Sequence, residues 1–247
     1  MAADPVILVT AGSAGLGRAV ALHFARNGYR VAFNYNSNKS RAATLLSELK
    51  VASNRDHFHI QADLSSRTEV GRLVWETHGH TGRLDVVFSN VGWSQFRDTC
   101  RLDDNVFEQD WDRAYTMNVK SHLWLLQATM PHLAETEGCF VTTSSIAGVS
   151  GMGSSLAYGV SKAAQIHMMK GVATMVGPRI RVNTVSPGML ETDWSKRFTD
   201  EEKEQHKNQT RLKRFVRLEG VAEQVLSLAK NRSITGVNIV IDAGFVR

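Results

Sequence analysis

The sequence of 247 residues has only two cysteines and four prolines. It also lacks an uninterrupted apolar run of the roughly 18–20 residues that a membrane-spanning helix requires. Cys100 and Cys139 stand in unrelated contexts, with no C-x-x-C pair and no histidine cluster at metal-ligand spacing. Neither a disulfide framework nor a metal site is therefore expected, and both thiols are read as reduced. The prolines do not gather into a linker, and no repeat or low-complexity tract divides the chain, so one domain over 1–247 is expected. The opening M-A-A-D-P runs directly into Val6-Ile7-Leu8-Val9, too short and without the basic lead-in of a secretory signal. The expectation is a soluble, cytoplasmic protein.

An excess of one charge sign is nearly absent as well: 29 Lys and Arg stand against 24 Asp and Glu, a formal net charge of +5. Eight of the basic residues fall between Lys196 and Arg217, but Asp200, Glu201, Glu202 and Glu204 are mixed among them. That interleaving describes a solvated face, not a stripe for a phosphate backbone, and nucleic acid is not an expected partner.

What the chain does have is alternation. Short β-branched apolar runs at 6–10, 30–34, 57–61, 85–89, 139–143, 180–185 and 237–241 are separated by longer segments. Several of these, at 16–27, 40–52, 69–77, 107–133 and 157–175, carry apolar residues at helical spacing. The pattern predicts an α/β fold: a Rossmann-type doubly wound sheet of about seven parallel strands flanked by helices on both faces. The two long helices, 107–133 and 157–175, are expected on the same side of it.

Directly after the first apolar run comes T-A-G-S-A-G-L-G-R-A, with Gly12, Gly15 and Gly17 opening a helix. Glycines there let the backbone turn tightly and approach a pyrophosphate, which the helix N-terminus stabilises. The spacing resembles the T-G-x-x-x-G-x-G turn of the short-chain dehydrogenase/reductase family, with Ala11 where that pattern has its first glycine. Alanine costs little there if φ at residue 11 is negative. On this reading Gly12, Ser13, Gly15, Leu16 and Gly17 contact the cofactor.

The second strand ends V-A-F-N-Y-N-S-N-K-S-R without an acid to hold a ribose 2′-hydroxyl, and Lys39 and Arg41 follow. A 2′-phosphate needs donors and positive charge. The loop Asn34-Tyr35-Asn36-Ser37 is similar to that of NADPH-using members of the family, so the resemblance implies NADP(H). It further implies that Asp63 and Leu64 in Q-A-D-L contact the adenine, an N-cap being the competing role for Asp63. Asn90 and Gly92 in S-N-V-G match the family's N-N-A-G, with Ser89 and Val91 departing from it.

Two further segments carry chemistry. Tyr158 and Lys162 in A-Y-G-V-S-K lie four residues apart, which places a phenol and an ammonium on one helix face. A phenol, with an ordinary pKa of about 10, becomes a better acid–base when a cation favours the phenolate. Ser145 stands thirteen residues before Tyr158 at the end of the fifth run, where its hydroxyl can orient a substrate carbonyl; Ser144 is its neighbour. Together these residues are similar to the family's S…Y-x-x-x-K signature. The resemblance implies Tyr158 as general acid/base, Lys162 as the group that tunes it and binds ribose, Ser145 as substrate orienter, and Asn118 as the residue that bends its helix and supports a proton relay.

Pro187, Gly188 and Thr192 in V-S-P-G-M-L-E-T-D-W match the family's nicotinamide-side segment, and 189–215 resembles its variable substrate lid. Trp93, Ser145, Met152, Met189 and Trp194 are candidates to line the pocket. The last run, I-T-G-V-N-I-V-I-D-A-G, resembles the family's closing strand, with Ala243 in place of a glycine. The expected activity is reduction of a small-molecule ketone to a secondary alcohol, in a homo-oligomer (tetramer or dimer) formed through the two long helices. A non-catalytic cofactor sensor or scaffold, and an isomerase, dehydratase or cyclase using the same pocket, are the alternatives.

Overall fold

The computed structural model describes residues 4–151 and 153–246. Seven parallel strands form one sheet: β1 (Val6–Val9), β2 (Arg30–Tyr35), β3 (Phe58–Gln61), β4 (Val86–Ser89), β5 (Cys139–Thr143), β6 (Arg181–Pro187) and β7 (Asn238–Ile241). Their order is β3-β2-β1-β4-β5-β6-β7. The chain winds outward from β1 to β3, then returns to the other side of β1 and winds out to β7. The reversal lies between β1 and β4, where Val9 pairs with Phe33 on one side and Phe88 on the other. A crevice opens above the carboxyl ends of strands at such a point.

The central strands are buried on both faces, and β1 shows why its four residues are all apolar. Ile7 and Val9 face a layer formed by α1 (Gly15–Arg26), α2 (Lys39–Ala52) and α8 (Leu218–Lys230), through Val20, Phe24, Leu45 and Val225. Val6 and Leu8 face the opposite layer of α3 (Arg67–Thr81), α5 (Ser121–Glu135) and α6 (Leu156–Val176), through Leu73, Leu125 and Met169. Side chains alternate across a strand, so two apolar layers demand an apolar residue at every position. Phe24, Phe33, Phe88 and Phe140 are fully buried, each stabilising the fold by roughly 1.5–3 kcal/mol relative to an exposed ring.

The two long helices do share one face of the sheet, but the first of them is not continuous. It comprises α4 (Glu108–Tyr115), a π-helical turn over Thr116–Lys120, and α5. Two helices lie outside the apolar-periodic segments. α7 (Asp200–Gln209) is nearly all polar and starts with a capping box from Thr199 to Glu202, so local hydrogen bonds define it, not burial. α8 is amphipathic, burying Val221, Ala222, Val225, Leu226 and Leu228, and it packs beside α1.

Candidate active site

The glycine turn joins β1 to α1. Gly12 is hemmed in by β2: a Cβ there would stand 2.7 Å from that of Phe33. Its amide donates to the Asn34 carbonyl at 2.8 Å, so Gly12 serves close packing and its N–H is already engaged. Gly17 is as tightly placed, since a Cβ would meet the Ala11 carbonyl at 2.4 Å and the Asn90 amide at 2.9 Å. Ala11 has φ +48° and Gly15 φ +51°. The first corrects the benign expectation for alanine: residue 11 adopts the left-handed conformation that glycine tolerates and a Cβ strains. Ala243, the other alanine in a glycine's place, has φ +56°.

Asn34 accounts for how the turn holds regardless. It lies inside β2, buried, with its Oδ1 accepting from the Ala11 amide at 2.8 Å and its Nδ2 donating to the Ala62 carbonyl at 2.9 Å. Tyr35 is likewise buried, edge-on to His59. Asn34 and Tyr35 thus belong to the strand, and of the 34–37 stretch expected to contact the cofactor only Asn36 and Ser37 are exposed beyond it. Asn34 carries an amide because two backbone groups there need partners, which outweighs its poor strand propensity.

Asn38, Ser66, Ser155 and Thr199 cap α2, α3, α6 and α7 with their side chains, whereas α1 starts at Ala14 with no side-chain cap. The first-turn amides of α1, Leu16 among them, thus face the crevice where an anion is favoured. Ser13 lies half-buried in the same turn. Thr192 closes the turn from above, 3.4 Å from where a Gly15 Cβ would be. Between them is a cavity of about 390 Å³ whose lining includes Gly15, Arg18, Thr192, Lys196 and Lys203. Glu191 and Asp193 line it too, and Arg18, Lys196 and Lys203 are paired with Glu48, Asp193 and Asp200, so the fit to a dinucleotide pyrophosphate rests on the uncapped helix start and the close-approach glycines.

At the end of β3, Asp63 accepts from the Ser65 amide at 2.9 Å while Ser66 takes the N-cap of α3, so the capping role falls to Ser66. Leu64 is buried beside it. Lys39 is exposed at the start of α2, and Arg41 reaches across to Asp193 at 2.8 Å, joining α2 to the segment after β6. Pro187 ends β6, and Gly188 follows so close to β7 that a Cβ would stand 3.0 Å from the Asp242 Cα. Thr10 Oγ1 accepts from the Asn90 amide at 2.8 Å, and Asn90 Oδ1 accepts from Thr143 at 3.1 Å, locking the ends of β1, β4 and β5 together.

On that platform stand the hydroxyls. Ser145 caps the short 3-10 turn Ile146–Gly148, its Oγ accepting from the Ala147 amide at 3.1 Å. The same hydroxyl hydrogen-bonds the Tyr158 phenol, whose pKa burial pushes up to about 12, with Ser145 opposing the rise. Ser144 instead donates to the Lys162 carbonyl at 3.0 Å, which removes it as a substrate contact.

Lys162 is 3% exposed, and burial pushes its pKa down to about 7. Its Nζ donates to the Thr143 carbonyl at 2.9 Å and Gln165 Oε1 at 3.2 Å, and stands 5.8 Å from the centre of the Tyr158 ring. The spacing puts both on one helix face, and in the cofactor-free protein the ammonium is held by the end of β5.

Asn118 lies in the π-helical turn, fully buried. It accepts from the Trp93 amide at 2.8 Å and donates to the Trp93 carbonyl and to Ser161, both at 2.9 Å. It thus breaks the α-helical ladder and fixes the loop after β4, with its side chain fully engaged; Gly92 lies beside it in that loop.

Of the pocket candidates, Trp194 comes within 5.9 Å of the Tyr158 ring, and Trp93 packs under the Arg113 guanidinium at 5.1 Å. Met189 is half-buried, its carbonyl accepting from Val216 at 3.1 Å, and Met152 lies outside the described residues. Phe96 against Phe198 at 5.1 Å was not among the candidates and ties the 189–215 segment to the loop after β4. His122 was missed too. It is fully buried, its Nδ1 2.6 Å from the Ser89 hydroxyl, and burial followed by the Lys162 charge holds its pKa well below the ordinary histidine value. Ser89, one of the two departures in S-N-V-G, is what hinted at it.

A doubly wound parallel sheet with these groups above its reversal point defines an oxidoreductase of the nicotinamide-dependent class. A family described as enoyl-(acyl carrier protein) reductase matches residues 10–246. The chain is 34% identical over 241 residues to the 3-oxoacyl-[acyl-carrier-protein] reductase FabG of Staphylococcus aureus, covering 96% of each. A short-chain dehydrogenase/reductase from Serratia marcescens superposes with TM-score 0.90 at 28% identity, covering 98% of both chains. The RhlG/NADP active-site complex of Pseudomonas aeruginosa superposes with TM-score 0.90 at 28% identity, covering 98% of this chain and 96% of that one. The protein belongs to the short-chain dehydrogenase/reductase family.

Proposed function

We propose that this protein is an NADP(H)-dependent reductase that converts a ketone to a secondary alcohol. The observation that carries the reading is Tyr158, a buried phenol bonded to Ser145 and one helical turn from Lys162, beside a crevice floored by an uncapped helix N-terminus. A bound reduced nicotinamide supplies hydride to the carbonyl carbon. Tyr158 gives its proton to the carbonyl oxygen while the Ser145 hydroxyl donates a hydrogen bond to the same atom. The Lys162 ammonium is the positive group one turn away that stabilises the phenolate left behind.

NADP(H) is favoured by the absence of an acid at the end of β2 and by Ser37, Lys39 and Arg41 beyond it. The substrate is a small carbonyl compound, taken beneath a lid at about 189–215 that presents Trp194 to Tyr158. The 3-oxoacyl activity of the Staphylococcus aureus relative makes acyl-thioester ketones the first class to screen. Leu123 and Met130 on α5, and Leu156 and Met175 on α6, are exposed apolar side chains that support self-association through those helices, as a dimer or tetramer. A cytoplasmic, single-domain enzyme is consistent with this reading.

A carbonyl-substrate screen following loss of NADPH absorbance tests it. Tyr158→Phe should lower kcat by roughly 10²–10⁴-fold, the usual worth of a general acid, with NADPH affinity nearly unchanged. Turnover retained in Tyr158→Phe would remove the phenol from the chemistry.

A further inference from the structure

His78 in the last turn of α3 and His132 in the last turn of α5 are far apart in sequence, yet their imidazoles stack with centroids 3.8 Å apart and planes 16° from parallel. His78 Nε2 and His132 Nδ1 are inaccessible to solvent and, among the described residues, have no hydrogen-bond partner. A buried polar nitrogen without a partner is costly, and two at one place call for a ligand. Glu135, three residues after His132 on the same helix, is exposed. One ligand atom from each of the three residues lies within 4.8 Å of the other two.

We propose that His78, His132 and Glu135 form a site for a divalent transition-metal cation, with Zn²⁺ the representative ion. Two imidazole nitrogens and one carboxylate oxygen are borderline ligands, suited to zinc, copper, nickel or cobalt and not to calcium or magnesium, which take all-oxygen shells. Ligand atoms bonded to zinc at about 2.0–2.2 Å sit roughly 3.3 Å apart in a tetrahedron. Metal binding therefore requires the stack to open, by rotation of the rings about their terminal torsions, until the ligand atoms, now within 4.8 Å of one another, close to that separation. Water completes the shell. Both histidines lie at helix C-termini, whose partial negative charge favours a cation.

The site is remote from the chemistry. α3 and α5 end where β4 and β5 begin, so it lies at the opposite edge of the sheet from Tyr158. A cation there joins α3 to α5 and stabilises the fold without entering hydride transfer.

Zn²⁺ titration of untagged, chelator-stripped, full-length protein tests the proposal whatever the enzyme's substrate. The expected result is one Zn²⁺ per chain and a melting temperature raised by about 5–10 °C at a hundredfold excess over Kd, with no response to Mg²⁺. His78→Gln and His132→Gln should each weaken zinc by more than the roughly 10–100-fold that loss of an outer-shell partner costs. His80→Gln, which removes the neighbouring exposed pair of His80 with Asp56, should bind as the parent does. Absence of a melting shift, or zinc binding retained in both His78→Gln and His132→Gln, overturns the site. Should those variants fold poorly, Co²⁺ added to the unmodified chain gives an independent reading: visible absorption bands of a low-coordinate imidazole site support it, and the pale spectrum of the hydrated ion overturns it.

Discussion

Replacing Ala11 by glycine should stabilise this protein, although alanine-to-glycine changes ordinarily do the reverse. At φ +48° the Ala11 side chain strains the backbone, and relief of a left-handed L-residue is worth about 1–2 kcal/mol. Against this, the unfolded chain gains freedom worth roughly 0.4–1 kcal/mol, and loss of a half-buried methyl costs about 0.4 kcal/mol. The balance at mid-range is a gain of about 0.4 kcal/mol. Ala43 provides the comparison, being exposed inside α2, where the same substitution should cost about 1 kcal/mol. Two chemically identical changes should therefore differ by about 1.4 kcal/mol, or roughly 3–6 °C in melting temperature for a chain of this size. Thermal and urea unfolding of the two variants beside the parent measure this. Equal losses in Ala11→Gly and Ala43→Gly would show that residue 11 bears no strain and that the turn accepts its alanine freely.

Two other outcomes follow from charge. Lys162 binds its proton less tightly folded, near pH 7, than unfolded, near 10.5. Its destabilising effect is therefore full below about pH 7 and fades between 7 and 10.5, where the unfolded chain holds more protons. Lys162→Met should stabilise the cofactor-free protein most near pH 6, with the advantage shrinking by about pH 9 in denaturant titrations; a gain independent of pH would contradict the assigned shift. Asp193→Asn frees the Arg41 guanidinium, now shared with an acid about half exposed. The same change frees Lys196 beside the pyrophosphate cavity, so both cofactors should gain. An exposed pair is worth about 0.2–1 kcal/mol, so release of Arg41 should raise the preference for NADPH over NADH by roughly a further 1.5–5-fold. An equal gain for both cofactors, read by fluorescence titration, would place Arg41 away from the 2′-phosphate.

The strands were legible because double-sided burial forces continuous β-branched runs, and a run such as Val6–Val9 has no other economical home. The trio of Ser145, Tyr158 and Lys162 was legible because its spacing spans a strand end and one helical turn. The fate of Asn34 was not, since a polar residue followed by Tyr-Asn-Ser reads as a turn until the Ala11 amide and Ala62 carbonyl that it satisfies are seen. Ser144 and Ser145 were chemically equivalent on paper, and the Lys162 carbonyl separates them. The direction of the Lys162 ammonium was similarly hidden, because periodicity fixes a helix face and leaves a flexible four-carbon stem free to choose its partner. His78 and His132 belong to different helices, and the α3–α5 packing alone reveals them as neighbours.

The π-helical turn at Thr116–Lys120 has a consequence for how this scaffold can vary. One additional residue in a helical turn advances everything after it by about 100° around the axis. Asp110 and Ala114 before the turn, and Leu125, Thr129 and Leu133 after it, therefore follow separate phases although one helical rod carries them. The rod is split into two independently indexed faces, one packed beside α6 and the other on the sheet. Substitutions in α4 can remodel its packing beside α6 while α5 keeps its grip on the sheet, but deleting a single residue between 116 and 120 would merge the two phases and turn one face away from its neighbours.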